Sequence, residues 1–123
     1  MTVQAYSDIL ETAAGSNGYI FGYDWDVNKN VKLTFPLVRA YPFNWGLPRS
    51  ESFTISQSFF IYVKNENKVT GWDAAIAVWE TFKGNLTGNV EVTEVTAAQI
   101  HYYGFTIEQA VVLEVTANVK IYC

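Results

Sequence analysis

The sequence contains few of the residue types that carry catalysis or covalent cross-links. Its 123 residues include one histidine, His101, and one cysteine, Cys123. A single cysteine at the last position cannot form an intrachain disulfide, and it has no second thiol nearby with which to bind zinc. The nearest serines lie far from His101, so no Ser/His/Asp relay is indicated. We therefore expect no catalytic site and no metal site.

Glycine-rich phosphate loops and long apolar runs are missing as well. Neither GxGxxG nor GxxxxGK[ST] occurs, so the backbone cradle that holds nucleotide phosphates is absent and we expect no cofactor. No segment approaches the ~20 apolar residues of a membrane span, and the N-terminus lacks a basic region followed by an apolar one. These absences predict a protein that does not associate with membranes and is synthesised in the cytoplasm.

Charged residues are scarce, and the basic ones are scattered. The eight Lys and Arg residues form no run, and the formal net charge is −4. Nucleic-acid binding needs a clustered basic surface, so we expect no sequence-specific nucleic-acid partner. The charged fraction is 16%, and aromatic residues make up a further 16%. Aromatic enrichment with charge depletion is typical of protein interfaces. The alternative is a two-layer domain with an aromatic core.

Two segments have the apolar spacing of amphipathic helices. The first ends near Gly15, and its apolar stripe is Val3, Tyr6, Ile9, Leu10 and Ala13. The second begins with Thr70 as the predicted N-cap and Asp73 at the N3 position. Its stripe is Trp72, Ala75, Ile76, Val78, Trp79, Phe82 and Leu86. We expect this wide stripe to lie across a sheet.

Period-two alternation predicts the strands. Residues 19–25 and 31–37 flank a polar turn and predict a hairpin, while residues 53–63 predict one long strand. Two further strands, 90–96 and 110–123, are separated by the aromatic turn IHYYGFTIEQ. The element order predicts a single domain over residues 1–123. Its class is α+β, with a mainly antiparallel sheet of about five strands and two helices packed on one face.

The segment GYDWDVNKN places Asp24, Asp26, Asn28 and Asn30 two residues apart, as in the first half of a calcium loop. Such a loop needs glycine at its sixth position and glutamate at its twelfth. Counted from Asp24, these positions hold Lys29 and Phe35. We interpret the spacing as a strand that runs into a polar turn, since alternate strand residues share a face. Cation binding by Asp24 and Asp26 stays open.

The segment RAYPFNWGLPRS is the sharpest candidate for an interaction site. Tryptophan, tyrosine and arginine dominate binding hot spots, and prolines lower the entropy lost when a loop is fixed on a partner. The predicted interface residues are Arg39, Tyr41, Phe43, Trp45 and Arg49. The alternative is a loop that folds its aromatic side chains over its own core. We also expect His101 to lie in its turn against neighbouring aromatic rings.

The order and patterning of these elements resemble a family of phage proteins. The N-terminal helix, the stretch GYIFGYDWD, the strand ISQSFFIYV, the helix GWDAAIAVWETF and the closing strand QAVVLEVTANVKIYC carry the resemblance. Together they are similar to the small tail-terminator and tail-completion proteins of long-tailed bacteriophages. The similarity spans most of the chain and involves no signature motif. The aromatic segment at 41–48 has no counterpart in the family pattern.

The resemblance implies a non-enzymatic virion protein. Its partners would be further copies of itself in a ring, commonly a hexamer, together with tail-tube and head–tail connector proteins. The ring would lie at the head-proximal end of the tail. A head–tail connector or another tail structural protein is a less favoured role within the same class. A small-ligand or peptide-binding α+β module, with a pocket between the sheet and the Trp72/Trp79 helix, is the alternative from another class.

Overall fold

The computed structural model of the protein describes residues 2–18, 20–23, 36–40, 52–64, 68–86, 88–104 and 109–122. Within these ranges the chain forms two helices and five strands. The helices are α1, Val3–Gly15, and α2, Lys68–Gly84. The strands are β1, Ile20–Tyr23; β2, Leu37–Ala40; β3, Ser52–Lys64; β4, Val90–Gly104; and β5, Gln109–Tyr122.

Helix α1 has the predicted length, and its ends have clear chemical causes. The Thr2 hydroxyl accepts a hydrogen bond from the Ala5 backbone N–H at 3.1 Å, which satisfies one of the donors left open at a helix N-terminus. Gly18 lies three residues beyond the helix and has a φ of 75°, a conformation that glycine adopts without strain. The chain can therefore turn there and enter β1.

Helix α2 begins earlier than predicted. It starts at Lys68, so Thr70 lies inside its first turn and the predicted N-cap role of Thr70 is wrong. The helix ends at Gly84, one of the two predicted stops, and Gly88 follows with a φ of 72°. The apolar stripe located the helix, but the capping spacing placed its first residue about one turn too late.

The strands form one sheet in the order β1-β2-β3-β5-β4. Strands β2, β3, β5 and β4 pair antiparallel, whereas β1 pairs parallel with β2. The α+β class with two helices is confirmed. The antiparallel part has four strands, one fewer than predicted, because β1 pairs parallel with β2. Residues 24–35, which include the turn and most of the second strand of the predicted hairpin, lie outside the described residues. Ile20 lies opposite Leu37, so the chain returns to the same end of the sheet before β2 begins. The turn-like composition of a segment does not show whether the strands on either side of it pair antiparallel or parallel.

The long pair β3 and β5 forms the centre of the sheet, in register from Ser52 opposite Tyr122 to Lys64 opposite Ala110. Their odd-numbered residues point toward both helices and form the main core. Phe59 lies 5.6 Å from Trp79 and 5.4 Å from Phe82 between ring centroids. Both helices therefore cover the same face of the sheet, as expected from the stripes.

Two polar contacts fasten α1 to the rest of the fold. The Tyr6 hydroxyl donates to Gln57 Oε1 at 3.1 Å, and both side chains are fully buried. Near the other end of the helix, Asn85 Nδ2 donates to the Ala13 carbonyl at 3.2 Å. Carbonyl groups in the last turn of a helix lack intrahelical donors, so Asn85 satisfies one of them. These bonds fix α1 against β3 and against the end of α2.

The face of the sheet away from the helices has a polar part and a small apolar part. The polar part includes Ser58 and Thr116, whose hydroxyl oxygens lie 3.3 Å apart. The apolar part is a second buried cluster of Leu37, Phe60, Tyr62 and Val112. Tyr62 lies opposite Val112, and Val112 is fully buried.

Candidate assembly surface

Strand β4 is the edge of the sheet that carries the longest open backbone. It contains 15 residues and continues through Gly104, so the predicted aromatic turn at 100–109 is wrong over its first half. Among the described residues it pairs only with β5. An edge strand presents unpaired N–H and C=O groups to its surroundings, and these can pair with another chain. The two halves of β4 differ in whether their sequence and geometry hinder pairing with another strand.

The first half of β4 is interrupted by two β-bulges. The register shifts between Val92 and Glu94 and again between Val95 and Ala97, which leaves Thr93 and Thr96 as the extra residues. The Thr93 hydroxyl donates to the Asn118 carbonyl at 3.2 Å, and the Thr96 hydroxyl donates to the Thr116 carbonyl at 3.1 Å. A bulge disrupts the local ladder, so each hydroxyl supplies a donor to the facing strand.

The sequence carried a signal for these bulges. In the stretch VTEVTAA, Val92, Val95 and Ala98 are three residues apart, whereas a regular strand returns to one face every two residues. Their partners Val119, Ala117 and Val115 belong to the main core. Each three-residue step therefore contains one bulge residue, and the apolar positions remain on the helix side of the sheet.

The second half of β4, Ala97–Gly104, is regular. Every residue from Ala97 to Gly104 has a partner in β5 without a register shift. Glu91 and Glu94 lie in the first half, whereas this second half contains no Lys, Arg, Asp, Glu or Pro. Bulges, charges and prolines are the devices that protect an edge from pairing with another strand. The second half has none of them, and we call it the open edge.

Exposed apolar side chains lie on the helix side of the sheet, two on α2 and one in the first half of β4. Within the described ranges, Trp72 is 39% exposed, Ile76 44% and Val95 42%. Ile76 precedes Asn85 by nine residues, which places the two on opposite sides of α2 at about 100° per residue. Asn85 contacts α1, so Ile76 points away from α1. We call Trp72, Ile76 and Val95 the lateral apolar surface.

The order of the strands places this surface above β4. Helix α1 contacts β1, whereas α2 contacts β3 and β5. The side of α2 away from α1 therefore faces the β4 edge. Trp72 and Ile76 were predicted to belong to the buried stripe of α2, and that prediction is wrong. The apolar stripe of α2 is wider than the surface that one helix buries against a sheet. This excess width was the signal in the sequence that some of its apolar side chains would be exposed.

The buried part of α2 bears on the ligand-pocket alternative. Trp79 is 5% exposed, and its ring lies 6.1 Å from Phe82 and 5.6 Å from Phe59 between centroids. Trp72 is 39% exposed. Trp79 therefore acts as a packing residue of the main core, and the pocket of the ligand-binding alternative stays a prediction.

The predicted interface residue that the structure describes is Arg39, and it lies in β2. Its Nη1 donates to the Tyr62 hydroxyl at 2.9 Å, and its guanidinium carbon is 5.9 Å from the centroid of the Tyr62 ring. Arg39 is half-buried beside the second cluster. The other predicted interface residues, Tyr41, Phe43, Trp45 and Arg49, lie outside the described residues. Their interface role stays a prediction.

His101 lies in β4 rather than in a turn, which corrects the prediction. Its Nε2 and Glu114 Oε2 are 2.9 Å apart, and the two side chains are 34% and 33% exposed. Val112 is directly opposite His101 and Glu114 is opposite Gln99, so the bond runs diagonally between neighbouring strands. Cross-strand pairs of this kind stabilise sheets. We interpret His101 as a link between β4 and β5.

Metal binding and membrane insertion find no support in the described part of the chain. Within it, no group of three or more His, Cys, Asp or Glu residues is arranged to hold a metal ion. The segment with Asp24, Asp26, Asn28 and Asn30 lies outside it. Neither described helix has the length and apolar character needed to cross a membrane.

No protein-family model matches the chain, and no curated protein sequence matches it significantly.

Proposed function

We propose that this chain is a non-enzymatic structural subunit that assembles with copies of itself into a ring. The observation that carries the proposal is the lateral apolar surface beside the open edge of a 15-residue strand. Burying each of the three exposed side chains against a neighbour would contribute about 1–2 kcal/mol. Closed rings arise when two different surfaces of a subunit meet head to tail.

The narrower role rests on the resemblance to phage tail proteins. On that basis the ring is a tail terminator or tail-completion protein, commonly a hexamer, at the head-proximal end of the tail. Its partners are the tail tube and head–tail connector proteins, and the subunit is made in the host cytoplasm before it enters the virion. A net charge of −4 suits a ring through which DNA passes, because like charges repel. A connector or another tail protein would use the same kind of contact.

One further candidate is favoured by a specific feature, namely the open edge itself. Peptide-binding modules bind an extended peptide by adding it as a strand to an exposed sheet edge. A module of this class would remain a monomer and would gain order only when the peptide is added. Self-association in the absence of any other chain therefore separates the two candidates.

The first experiment is light scattering coupled to size exclusion over a wide concentration range. We expect the native chain to form a closed oligomer and Ile76→Lys to weaken it by at least about tenfold in the dissociation constant, since the lysine would be buried against a neighbour. Ala77→Lys is the matched control, because Ala77 is also exposed and is the next residue on α2. A strict monomer at every concentration, or equal effects of both variants, would contradict the proposal.

A further inference from the structure

Among the strands that the structure describes, β1 and β4 are the two edges of the sheet, and they run in opposite directions. Strand β4 is antiparallel to β5, β5 to β3, and β3 to β2, while β2 is parallel to β1. Strands β3 and β4 therefore point one way and β1, β2 and β5 point the other. A second copy shifted sideways in the plane of the sheet would bring its β1 antiparallel to β4, with the helices of both copies on the same side.

We propose that the open edge, Ala97–Gly104, pairs antiparallel with β1 of the neighbouring copy, so that one sheet continues from subunit to subunit around the ring. This inference rests on the proposed function and names the surfaces that the subunits use. The pairing joins two different edges, so it can repeat until the ring closes. Pairing between two β4 edges would instead stop at a dimer.

The position of the contact along β4 follows from the protection of its first half. The bulges at Thr93 and Thr96 break the regular spacing of backbone groups, and Glu91 and Glu94 add charge there. The open edge has a regular ladder, in which alternate residues direct their N–H and C=O groups outward. The four residues of β1 carry no formal charge. Added backbone hydrogen bonds therefore favour the open edge over the first half.

The neighbour's α1 would then cover the lateral apolar surface. Helix α1 contacts β1 in its own subunit, so the α1 that accompanies the added β1 arrives on the helix side of β4. Trp72, Ile76 and Val95 are exposed on that side. The same arrangement thus covers the three exposed side chains of the lateral apolar surface with a helix of the neighbour.

The pairing register can be tested with two positions in one row of the sheet. Gln99 is opposite Glu114, Glu114 opposite Phe60, Phe60 opposite Arg39, and Arg39 opposite Gly22. Gln99 and Gly22 therefore share a level and a face at the two edges. A neighbour without stagger brings them together, and a stagger of two residues separates them by about 7 Å, which a short bis-maleimide can span.

The experiment uses single-cysteine proteins in a Cys123→Ser background. Gln99→Cys and Gly22→Cys proteins of different mass, mixed and treated with the bis-maleimide, should give mainly the mixed covalent dimer. Glu91→Cys is the control for Gln99→Cys, since it lies exposed on the same strand and face but in the protected half. We expect its yield with Gly22→Cys to be several-fold lower. Thermal melts establish that each variant is folded.

Each outcome separates this inference from the proposed function. Cross-links of Gln99→Cys to itself indicate two-fold β4 pairing and overturn the inference. Oligomers that form without the mixed cross-link overturn the inference and leave a ring built on other surfaces. Monomers throughout overturn both the inference and the proposed function.

Amide hydrogen exchange on the native chain is a second test of the contact and needs no substitution. Peptides from 97–104 should exchange about tenfold more slowly in concentrated than in dilute samples, and peptides from 90–96 should not.

Discussion

Strands β5 and β4 lie side by side with almost equal lengths, 14 and 15 residues, yet their surroundings differ sharply. From Val111 to Ile121 every odd-numbered residue of β5 is buried, whereas residues 93–99 of β4 are all exposed. A helix is about 10 Å wide and strands are about 4.8 Å apart, so each helix covers roughly two strands. Two helices therefore cover four strands of this sheet, and the fifth remains open.

The comparison shows that an exposed apolar surface can result from a helix layer that is one strand too narrow. The side chains on the helix side of β4 are apolar, as if a helix covered them, but Val95 is 42% exposed. The middle of the strand has the apolar side chains of a core and the accessibility of a surface, whereas Val90 at its start is buried in the main core. The following predictions test this contrast between covered and uncovered positions, beginning with the largest expected effect.

The largest difference is expected between two tryptophans of α2. Trp79→Ala should lower the free energy of unfolding by about 3–5 kcal/mol, because it leaves a cavity against Phe59 and Phe82. Trp72→Ala should lower it by about 1 kcal/mol, because that side chain is already 39% exposed. Urea unfolding of the two variants, followed by circular dichroism at a concentration where the chain is monomeric, measures both values. Similar losses would contradict the assignment of Trp72 to the uncovered side.

A smaller difference is expected between two tyrosines. Tyr6→Phe removes the hydroxyl that donates to the buried Gln57, so we expect a loss of about 1–3 kcal/mol. Tyr122→Phe removes a hydroxyl that donates to Glu91 Oε2 at an exposed position. We expect a loss within about 0.5 kcal/mol there, since water replaces the bond. The same unfolding assay measures both, and a Tyr122 effect equal to that of Tyr6 would refute the contrast.

The third prediction concerns the bulges, where the expected effect on stability is also small. Replacing Thr93 and Thr96 together by valine removes two exposed hydroxyl donors and should cost about 1 kcal/mol in total. Deleting both residues is more informative, because the remaining sequence alternates regularly between the two faces. The deletion variant should remain folded and associate more strongly through its longer smooth edge. Sedimentation velocity checks this, and unchanged association would show that the bulges do not protect the edge.

Much of the fold could be predicted from local patterns. Helix α1 and strands β3 and β5 were located almost to the residue, because each has a long, regular apolar period and a polar or glycine-containing end. The misses have a common cause. The antiparallel direction expected for the strand at 20–23, the turn at His101 and the start of α2 at Thr70 were inferred from a few residues of turn or cap composition. Partners distant in sequence decide such short segments.

The candidate site was harder to predict than the fold. The composition indicated an interface, but the sequence drew attention to the aromatic segment from Arg39 to Arg49. In the structure, Arg39 lies in β2 and donates a hydrogen bond to the Tyr62 hydroxyl on β3. The lateral apolar surface was hidden, because Trp72 and Ile76 look like core residues on a helical wheel. Only the width of the stripe and the three-residue steps of VTEVTA pointed toward it.

The sequence by itself determined which segments become helices and long strands and which faces of them are apolar, because these properties depend on residues a few positions apart. Tertiary structure alone decided that β1 runs parallel to β2, that β4 ends the sheet and that α2 lies over β3 and β5. Those outcomes depend on contacts between residues far apart in the chain. The exposure of Trp72, Ile76 and Val95 follows from them, since burial depends on what lies above a side chain as well as on the side chain itself.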